Sequence, residues 1–325
     1  MEVVQGSESI ERKLRSPVLT IGNFDGLHLG HRAIMQIVTE RAHALGGESV
    51  VHTFEPHPRK VVRPETAPKL LATLEQKLEL LEGLGVDVAI VEPFDRDFMA
   101  VTPDRFVREY IHARIAPVEL YVGYDFHFGR DREGSMRLLT ELGPRLGFSV
   151  TIIPEVTVAG RDVNSTRIRD LLGEGAVSEV AQLLGRRFSV RGEVVVGDRR
   201  GRTLGFPTAN LRCENEILPA SGVYAGELVL LDDGPAPLAR GVRLPVVTNV
   251  GIRPTFNDER GLLAEAHVID FDGDSGDLEL YDRRVELRFD ERLRGELKFA
   301  GPEALREQIA RDVDSAREVL GIDPA

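Results

Sequence analysis

Cysteine is nearly absent from this sequence of 325 residues. Cys213 stands alone, so neither an intramolecular disulfide nor a cysteine metal cluster can form, and its thiol is expected to be a small buried group. No apolar run reaches the roughly 18 residues that would suggest a membrane-spanning helix. The N-terminal residues, Met1 to Glu8, lack the basic start and apolar core of a signal peptide. A cytoplasmic location is therefore expected.

Basic residues are in the minority, and the net charge is −12. This balance argues against a broad surface for nucleic acid or membrane, so neither is expected as a partner. It remains compatible with a small anionic ligand in a local pocket. The length predicts two domains, and the composition leaves a homo-oligomer open.

The first half alternates between short β-rich runs and helical segments. The predicted strands are Val18–Ile21, Ser49–Phe54, Val86–Val91, Val118–Val122 and Ser149–Pro154. A helix is expected after Gly30, and Thr73 opens another through a capping box, with Leu74, Leu78 and Leu81 facing inward. Thr102 starts a further helix, followed by short helices over Ser165–Leu172 and Val177–Leu184. The alternation predicts an α/β domain with a Rossmann-like, doubly wound parallel sheet.

After about residue 185 the pattern changes to strands separated by turns rich in Gly, Pro, Asp and Asn. The predicted strands are Phe188–Val196, Val223–Leu231, Val242–Val250, Leu263–Phe271 and Leu278–Phe289. They favour an antiparallel barrel or sandwich, against which a last helix, Pro302–Leu320, packs through one apolar stripe. The predicted domains are residues 1–184 and 185–325.

The stretch from Thr20 to His31 organises the first half. An apolar strand ends at a glycine-containing turn, and His28 and His31 lie at the start of a helix. Free N–H groups and the partial positive charge at a helix start attract phosphate, and the imidazoles add hydrogen-bond donors. Two packed histidines, or a zinc site joined by His52 and His57, are the alternatives; zinc is disfavoured because no third ligand has a diagnostic spacing.

Three other segments follow predicted strands, where a doubly wound sheet binds its ligands. Asn164–Arg169 offers hydroxyls and two arginines, which suit the outer phosphates of a nucleotide. The alternative is a plain Ser/Thr helix cap with surface arginines. Gly123–Gly129 and His52–Pro58 combine glycine, proline and aromatic residues. Gly123–Gly129 could hold a flat ring or be a turn with core aromatics, and His52–Pro58 could wall the same cleft or be a rigid proline turn.

The first half resembles the HxGH nucleotidyltransferases, and more closely the adenylyltransferase half of bacterial bifunctional riboflavin kinase/FAD synthetases. The resemblance implies an ATP site formed by Gly22, Phe24, Asp25, Gly26, His28, His31, Ser165, Thr166 and Arg167. It implies a flavin site formed by Phe54, Pro56, Asp125 and Phe128. Asn164 replaces a usual serine, and Glu55 stands where aspartate is commoner.

The implied reaction is transfer of AMP to FMN. The 5′-phosphate of FMN attacks the α-phosphate of ATP and pyrophosphate leaves, so positioning and charge stabilisation suffice. His28 and His31 would hold the triphosphate, Arg167 the departing pyrophosphate, and Mg²⁺ would neutralise the remaining charge.

The second half carries its own motif, Gly201 to Leu211, whose glycines permit a tight loop and whose Thr208 and Asn210 suit Mg²⁺ and nucleotide oxygens. It is no P-loop, because GK[ST] is missing, and a structural hairpin turn is the alternative. Glu265 interrupts an apolar strand, as a solvated side chain or as a general base in a pocket. A basic loop, Arg292–Phe299, is a solvated turn or a ligand flap.

This half resembles the riboflavin kinase domain, a six-stranded barrel with a helix. The resemblance implies an ATP and metal loop with Gly201, Gly205, Pro207, Thr208 and Asn210, in which Thr208 and Asn210 hold Mg-ATP. It implies Glu265 as the base for the ribityl hydroxyl, and a flavin loop with Arg294, Glu296, Lys298 and Phe299. Asp282 stands where glycine is usual, which is expected to alter a turn but not the chemistry.

The resemblances together imply a bifunctional enzyme. It would phosphorylate riboflavin with ATP to FMN and then adenylylate FMN to FAD, with riboflavin, FMN, FAD, ATP and Mg²⁺ as its small-molecule partners. The alternatives are a kinase with a weakened adenylyltransferase half, motivated by Asn164 and Glu55, and a flavin- or nucleotide-binding regulator without turnover.

Overall fold

The computed structural model describes residues 1–158, 160–197, 205–234, 238–251, 263–270 and 280–323. The chain divides into two compact units, residues 1–164 and 165–325. The contacts thus group residues 165–184 with the second unit, whereas the predicted domain boundary lies after residue 184. Among the described residues, none of the helices is both long and apolar enough to cross a bilayer.

The first unit is built on a parallel sheet of six strands, in the order β1-β4-β3-β2-β5-β6. The strands are β1 Glu2–Gln5, β2 Val18–Ile21, β3 Ser49–Glu55, β4 Val88–Pro93, β5 Glu119–Gly123 and β6 Ser149–Ile153. The five predicted strands are confirmed, with ends shifted by at most two residues. The sequence missed β1, because only one of its four residues is buried and so it lacks a hydrophobic pattern.

Helices cover both faces of this sheet. They are α1 Leu29–Ala44, α2 Pro58–Val62, α3 Leu74–Gly83, α4 Arg96–Met99, α5 Pro103–Arg105, a π-helical continuation Phe106–Ile115, and α6 Met136–Leu146. Short 3-10 turns occupy Ser7–Ser9, Pro64–Thr66 and Arg130–Arg132, and two short strands, β7 Thr157–Val158 and β8 Arg161–Asp162, form a hairpin. The predicted capping box of α3 is confirmed, since Thr73 and Gln76 exchange both hydrogen bonds.

The inward face of α3 differs from the prediction. Leu81 is buried as expected, but Leu74 and Leu78 are only half-buried, and Gln76 and Lys77 are buried in their place. Lys77 is directed toward the sheet, where its Nζ donates to Thr53 Oγ1 on β3.

Strand order determines where the first unit can bind ligands. The central strand β2 pairs with β3 on one side and β5 on the other, while the chain passes from β2 to β3 and reaches β5 only after β4. Such a reversal of winding direction leaves a crevice beyond the carboxyl ends of the strands. The loops that follow β2, β3 and β5 all begin at this edge, and they carry three of the predicted segments.

The second unit is a closed antiparallel barrel of six strands, in the order β10-β13-β12-β11-β14-β9. Its elements are α7 Ser165–Glu174, α8 Val177–Leu184, β9 Phe188–Val195, β10 Ala209–Cys213, β11 Gly222–Leu230, β12 Arg243–Gly251, β13 Leu263–Val268, β14 Arg284–Arg294 and α9 Pro302–Leu320. The barrel and its final helix are confirmed, but the last strand covers Arg284–Arg294 rather than the predicted Leu278–Phe289. β10 was missed because its residues overlap the Gly201–Leu211 motif, whose glycines and proline indicated a turn.

Helices cover parts of the barrel. α8 packs against β9 and β14, and α9 packs against β11, β12 and β14. In α9, Ala316 is fully buried in a cluster with Val223, Ala225 and Val247, and Val313 and Leu320 border it. This is the stripe that the sequence predicted, apart from Leu305 and Ile309, which lie outside that cluster.

Candidate functional site

The loop after β2 is fixed at both ends. The Gly22 N–H donates to the carbonyl of His52 on β3 (3.1 Å). The carboxylate of Asp25 accepts from the Leu71 N–H, just before α3 (2.9 Å). Gly26 has φ +77°, and a Cβ there would lie 2.7 Å from Leu71 Cδ1, so this position requires glycine. Phe24 and Leu27 also have positive φ, 48° and 40°, which is strained backbone of the kind that clusters at functional sites.

The two histidines of the motif meet at the start of α1. His28 is the N-cap, and its Nδ1 accepts from the His31 N–H (3.4 Å). The rings stack with centroids 3.6 Å apart, and the Phe24 ring meets His31 edge-on. Gly30 allows this arrangement, because a Cβ there would lie 3.2 Å from the His28 ring.

The surroundings of His31 favour the neutral form of its ring. Burial lowers the pKa of His31 well below its ordinary value, and electrostatic interactions with His28 and Lys77 lower it further. Its Nδ1 is buried without a hydrogen-bond partner among the described residues. Nδ1 of His31 is therefore available to form a hydrogen bond with a ligand, as donor or as acceptor.

Sequence reasoning missed Lys77, which is 7% exposed and lies beneath this loop. Its Nζ donates to Thr53 Oγ1 (3.4 Å), and Thr53 Oγ1 donates to the carbonyl of Asn23 (3.3 Å). Burial lowers the pKa of Lys77, against the opposing charges of Glu55 and Asp25. A signal was present, because Lys77 falls on the face of α3 that also carries Leu74 and Leu81.

The predicted segment Ser165–Arg167 forms the first turn of α7, in the second unit. Ser165 and Arg167 are half-buried and Thr166 is exposed.

Two of the predicted kinase residues, Asn210 and Glu265, lie side by side on the outer face of the barrel. Asn210 on β10 lies opposite Glu265 on β13, and Glu265 lies opposite Asn249 on β12. Residues directly opposite in a ladder point to the same face. Ala264 and Ala266 fill the interior, so Glu265 faces outward, yet it is half-buried rather than fully solvated. Asn249, which sequence reasoning did not single out, completes a row of two amides flanking one carboxylate.

His267 holds the loop that precedes β10. Its Nδ1 lies 2.8 Å from the Pro207 carbonyl, and because a carbonyl only accepts, Nδ1 carries the proton. The Phe206 ring packs edge-on against the imidazole (5.2 Å). Burial lowers the pKa of His267, which favours the neutral ring. His267 thereby fixes the backbone next to Thr208; Gly201 lies outside the described residues.

Comparison with known proteins finds two family models, one for each part of the chain. Residues 10–167 match the family model of FAD synthetase, and residues 184–320 match that of riboflavin kinase. Bifunctional riboflavin kinase/FMN adenylyltransferase of Escherichia coli K12 is 36% identical over 99% of both chains. The protein of the same name from Pseudomonas fluorescens is 38% identical, over 98% of this chain and 97% of that protein.

This chain belongs to the bifunctional riboflavin kinase/FMN adenylyltransferase family. It phosphorylates riboflavin and adenylylates FMN, so ATP is a co-substrate, FMN an intermediate product and FAD the final product. These comparisons lend no support to the alternatives of a weakened adenylyltransferase half or a regulator without turnover. A solved structure from Streptococcus pneumoniae, described as a macrolide-efflux protein, has a TM-score of 0.83 at 26% identity and covers 98% of this chain and 99% of that one.

The flavin-side residues predicted for the adenylyltransferase half lie in different environments. Phe54 and Phe128 are buried in one core cluster, 8% and 7% exposed. Phe126, half-buried, stacks on Phe128 with centroids 5.6 Å apart. Pro56 and Asp125 are exposed beyond the ends of β3 and β5. His52, considered as a zinc ligand, instead pairs with Glu92 (2.8 Å), and no group of three or more metal-binding side chains occurs in the described ranges.

In the riboflavin kinase half, the predicted flavin loop lies between β14 and α9. Arg294 donates to both carboxylate oxygens of Asp312 on α9 (2.8 and 2.6 Å), and its guanidinium lies 5.9 Å from the Phe299 ring centroid. A Cβ at Gly251 would be 3.4 Å from Glu296 Oε1 and 3.8 Å from Asn249 Nδ2. The loop therefore brings Glu296 to the end of β12, beside the row that contains Glu265.

Proposed function

We propose that Glu265 is the general base of riboflavin phosphorylation, with Thr208 and Asn210 binding Mg-ATP beside it. The observation that supports this most directly is the strand register, which puts Asn210 and Asn249 on either side of Glu265. In the proposed step the ribityl hydroxyl oxygen attacks the γ-phosphate of ATP, its proton passes to Glu265, and ADP leaves. Asn249 would orient the carboxylate or the hydroxyl by a hydrogen bond.

Magnesium fits this arrangement chemically. The Thr208 hydroxyl and the Asn210 amide oxygen are hard oxygen donors, which Mg²⁺ prefers, and the nucleotide phosphates and water supply the remaining ligands. Bound Mg²⁺ would neutralise charge on the transferred phosphate. Arg294, Glu296 and Phe299 would then border the flavin, with Arg294 held in place by Asp312.

For the adenylyltransferase half, we propose that the loop from Gly22 to His31 binds the ATP phosphates. The stacked histidines, the unsatisfied Nδ1 of His31 and the position of the loop at the N-terminus of α1 support this assignment. The 5′-phosphate of FMN attacks the α-phosphate, the bond to the β-phosphate breaks, and pyrophosphate leaves. The roles proposed for Ser165, Thr166 and Arg167 in ATP binding rest on the sequence motif. Those of Phe54, Pro56, Asp125 and Phe128 in flavin binding rest on the motif and on the carboxyl edge of the sheet.

The deciding experiment follows the products of riboflavin, ATP and Mg²⁺ over time for three proteins. The wild type is expected to form FMN first and FAD later. Glu265→Gln is expected to lose FMN formation while still converting added FMN to FAD, and His28→Ala is expected to accumulate FMN. A Glu265→Gln protein that phosphorylates riboflavin at the wild-type rate would remove Glu265 as the base.

The functional boundary after residue 184 also remains a proposal. The family models support it, since the match to FAD synthetase ends at residue 167 and that to riboflavin kinase begins at residue 184. A cytoplasmic location, and small molecules as the sole partners, stay predictions from composition. Cell fractionation and size-exclusion chromatography of the purified protein test them.

A further inference from the structure

Lys77 occupies a position that is unfavourable for a charged side chain. It is 7% exposed, and its single hydrogen bond is a long one to a neutral hydroxyl, Thr53 Oγ1 (3.4 Å). Within the described part of the chain, no carboxylate forms an ion pair with it. It is also the fourth residue of α3, near the positive end of the helix dipole. The charges of Glu55 and Asp25 act on it only in part against the cost of burial. A buried cation without a directly paired carboxylate lowers stability unless another group neutralises it.

The neighbours of Lys77 are parts of the proposed phosphate loop. Thr53, which accepts from its Nζ, donates in turn to the backbone of Asn23 within that loop. Asp25 ties the loop to Leu71, immediately before the helix that carries Lys77. The ammonium therefore lies under the loop, in the layer between β3 and α3.

Two further atoms at this place lack partners. His31 Nδ1 and Asn23 Oδ1 are buried, and neither has a hydrogen-bond partner among the described residues. A buried cation beside the unsatisfied nitrogen of His31 suits a phosphate oxygen, whereas Asn23 Oδ1, which only accepts, suits a hydroxyl or amino group of the same ligand. Adenylyl transfer brings such a ligand, because the triphosphate of ATP and the phosphate of FMN meet at one point.

We propose that the Lys77 ammonium is a fixed positive charge that binds the nucleotide phosphates held by the Gly22–His31 loop. The inference rests on the proposed assignment of that loop as the ATP site. An ammonium is a compact point charge that suits phosphate oxygens, and a low-dielectric position strengthens its attraction for them. Bound polyphosphate also removes the unfavourable burial of the free cation, so ligand binding and stability of the first unit are coupled.

The test compares Lys77→Met with Lys13→Met, which removes the same charge from an exposed position of the same unit. Lys77→Met is expected to lower kcat/KM for ATP in FAD formation at least tenfold and to abolish most of the rise in Tm that pyrophosphate causes. Its ligand-free Tm should equal or exceed that of the wild type, because an apolar isostere replaces a buried charge. Lys13→Met should match the wild type, and riboflavin phosphorylation should be unchanged in both.

His28→Ala separates failure of this inference from failure of the proposed site. If Lys77→Met forms FAD and responds to pyrophosphate as the wild type does, while His28→Ala does not, Lys77 has no phosphate-binding role although the loop is the site. If both variants form FAD normally, the loop assignment is wrong as well. If Lys77→Met folds poorly, Lys77→Arg and Lys77→Gln are compared instead. The proposal requires that Lys77→Arg, which keeps the charge, forms FAD faster than Lys77→Gln at a comparable Tm. An equal loss of FAD formation in both variants overturns the proposal.

Discussion

At the scale of single residues, His31 links burial to pH. Its pKa lies well below the ordinary value in the folded protein, while in the unfolded chain it is about 6.5. Below about pH 6.5 the unfolded chain therefore binds a proton that the folded chain does not. The free energy of unfolding then falls as the pH falls from about 6.5 toward the folded-state pKa.

His31→Gln is expected to remove this contribution, so its stability should decline less than that of the wild type between about pH 7 and pH 5. Urea denaturation of the first unit at several pH values measures the slope. His43→Gln, an exposed histidine on the same helix, is the matched control and should keep the wild-type dependence. An unaltered slope in His31→Gln would mean that His31 is protonated equally in both states.

In the kinase half, His267 positions the loop before β10 through a hydrogen bond to its backbone. Because its N–H holds the Pro207 carbonyl next to Thr208, His267→Phe is expected to raise KM for ATP in riboflavin phosphorylation about tenfold, which is the size expected for one lost hydrogen bond to a positioned loop. FAD formation from added FMN is the internal control and should not change. His267→Asn, which retains a donor, should recover part of the loss; equal defects in both variants would contradict a positioning role.

At the scale of elements, the turn before β14 contains a non-glycine residue in the left-handed conformation. Asp282 has φ 60°, the left-handed conformation that glycine adopts without strain and aspartate tolerates. Aspartate therefore occupies this turn at a small cost in strain.

Asp282→Gly is expected to stabilise the barrel by up to about 1 kcal/mol, and Asp282→Val to destabilise it by about 1–2 kcal/mol, because a β-branched residue is strained at positive φ. Thermal unfolding of the second unit, monitored by circular dichroism, measures both changes. The same Tm for the valine and glycine variants would show that the turn changes conformation in response.

The helices at the junction of the two units are the second feature at this scale. α8 contributes Val180 and Leu184, both buried, and packs against β9 and β14 of the barrel. The contacts therefore assign α8 to the barrel, although the riboflavin kinase match begins only at its last residue.

At the scale of the whole molecule, the chain combines two compact units. Two fragments, residues 165–325 and residues 185–325, are both expected to fold and to phosphorylate riboflavin. The Tm of the shorter fragment is expected to be lower by more than about 5 °C, because loss of α8 exposes apolar barrel surface. Thermal melting and a riboflavin kinase assay of both fragments check this. Equal melting temperatures would show that α7 and α8 add no stability to the barrel.

Much of this architecture was predictable from local patterns. Alternation of strands and helices, the capping box at Thr73 and the stripe on α9 are encoded within a few neighbouring residues, which is why their positions agree with the structure. The strand β1 was not predictable, because four mostly exposed residues at a sheet edge form a strand only when β4 is available to pair with them.

The sequence by itself determined the two folds and, through the intact motifs around His28 and Asn210, the two reactions. Tertiary structure alone decided that Asn249 lies beside Glu265, that His267 holds the loop before Thr208, and that Lys77 lies beneath Asn23. The physical reason is distance along the chain: strand register and packing of a helix on a loop join residues up to about sixty positions apart, and no local pattern records which of them will meet.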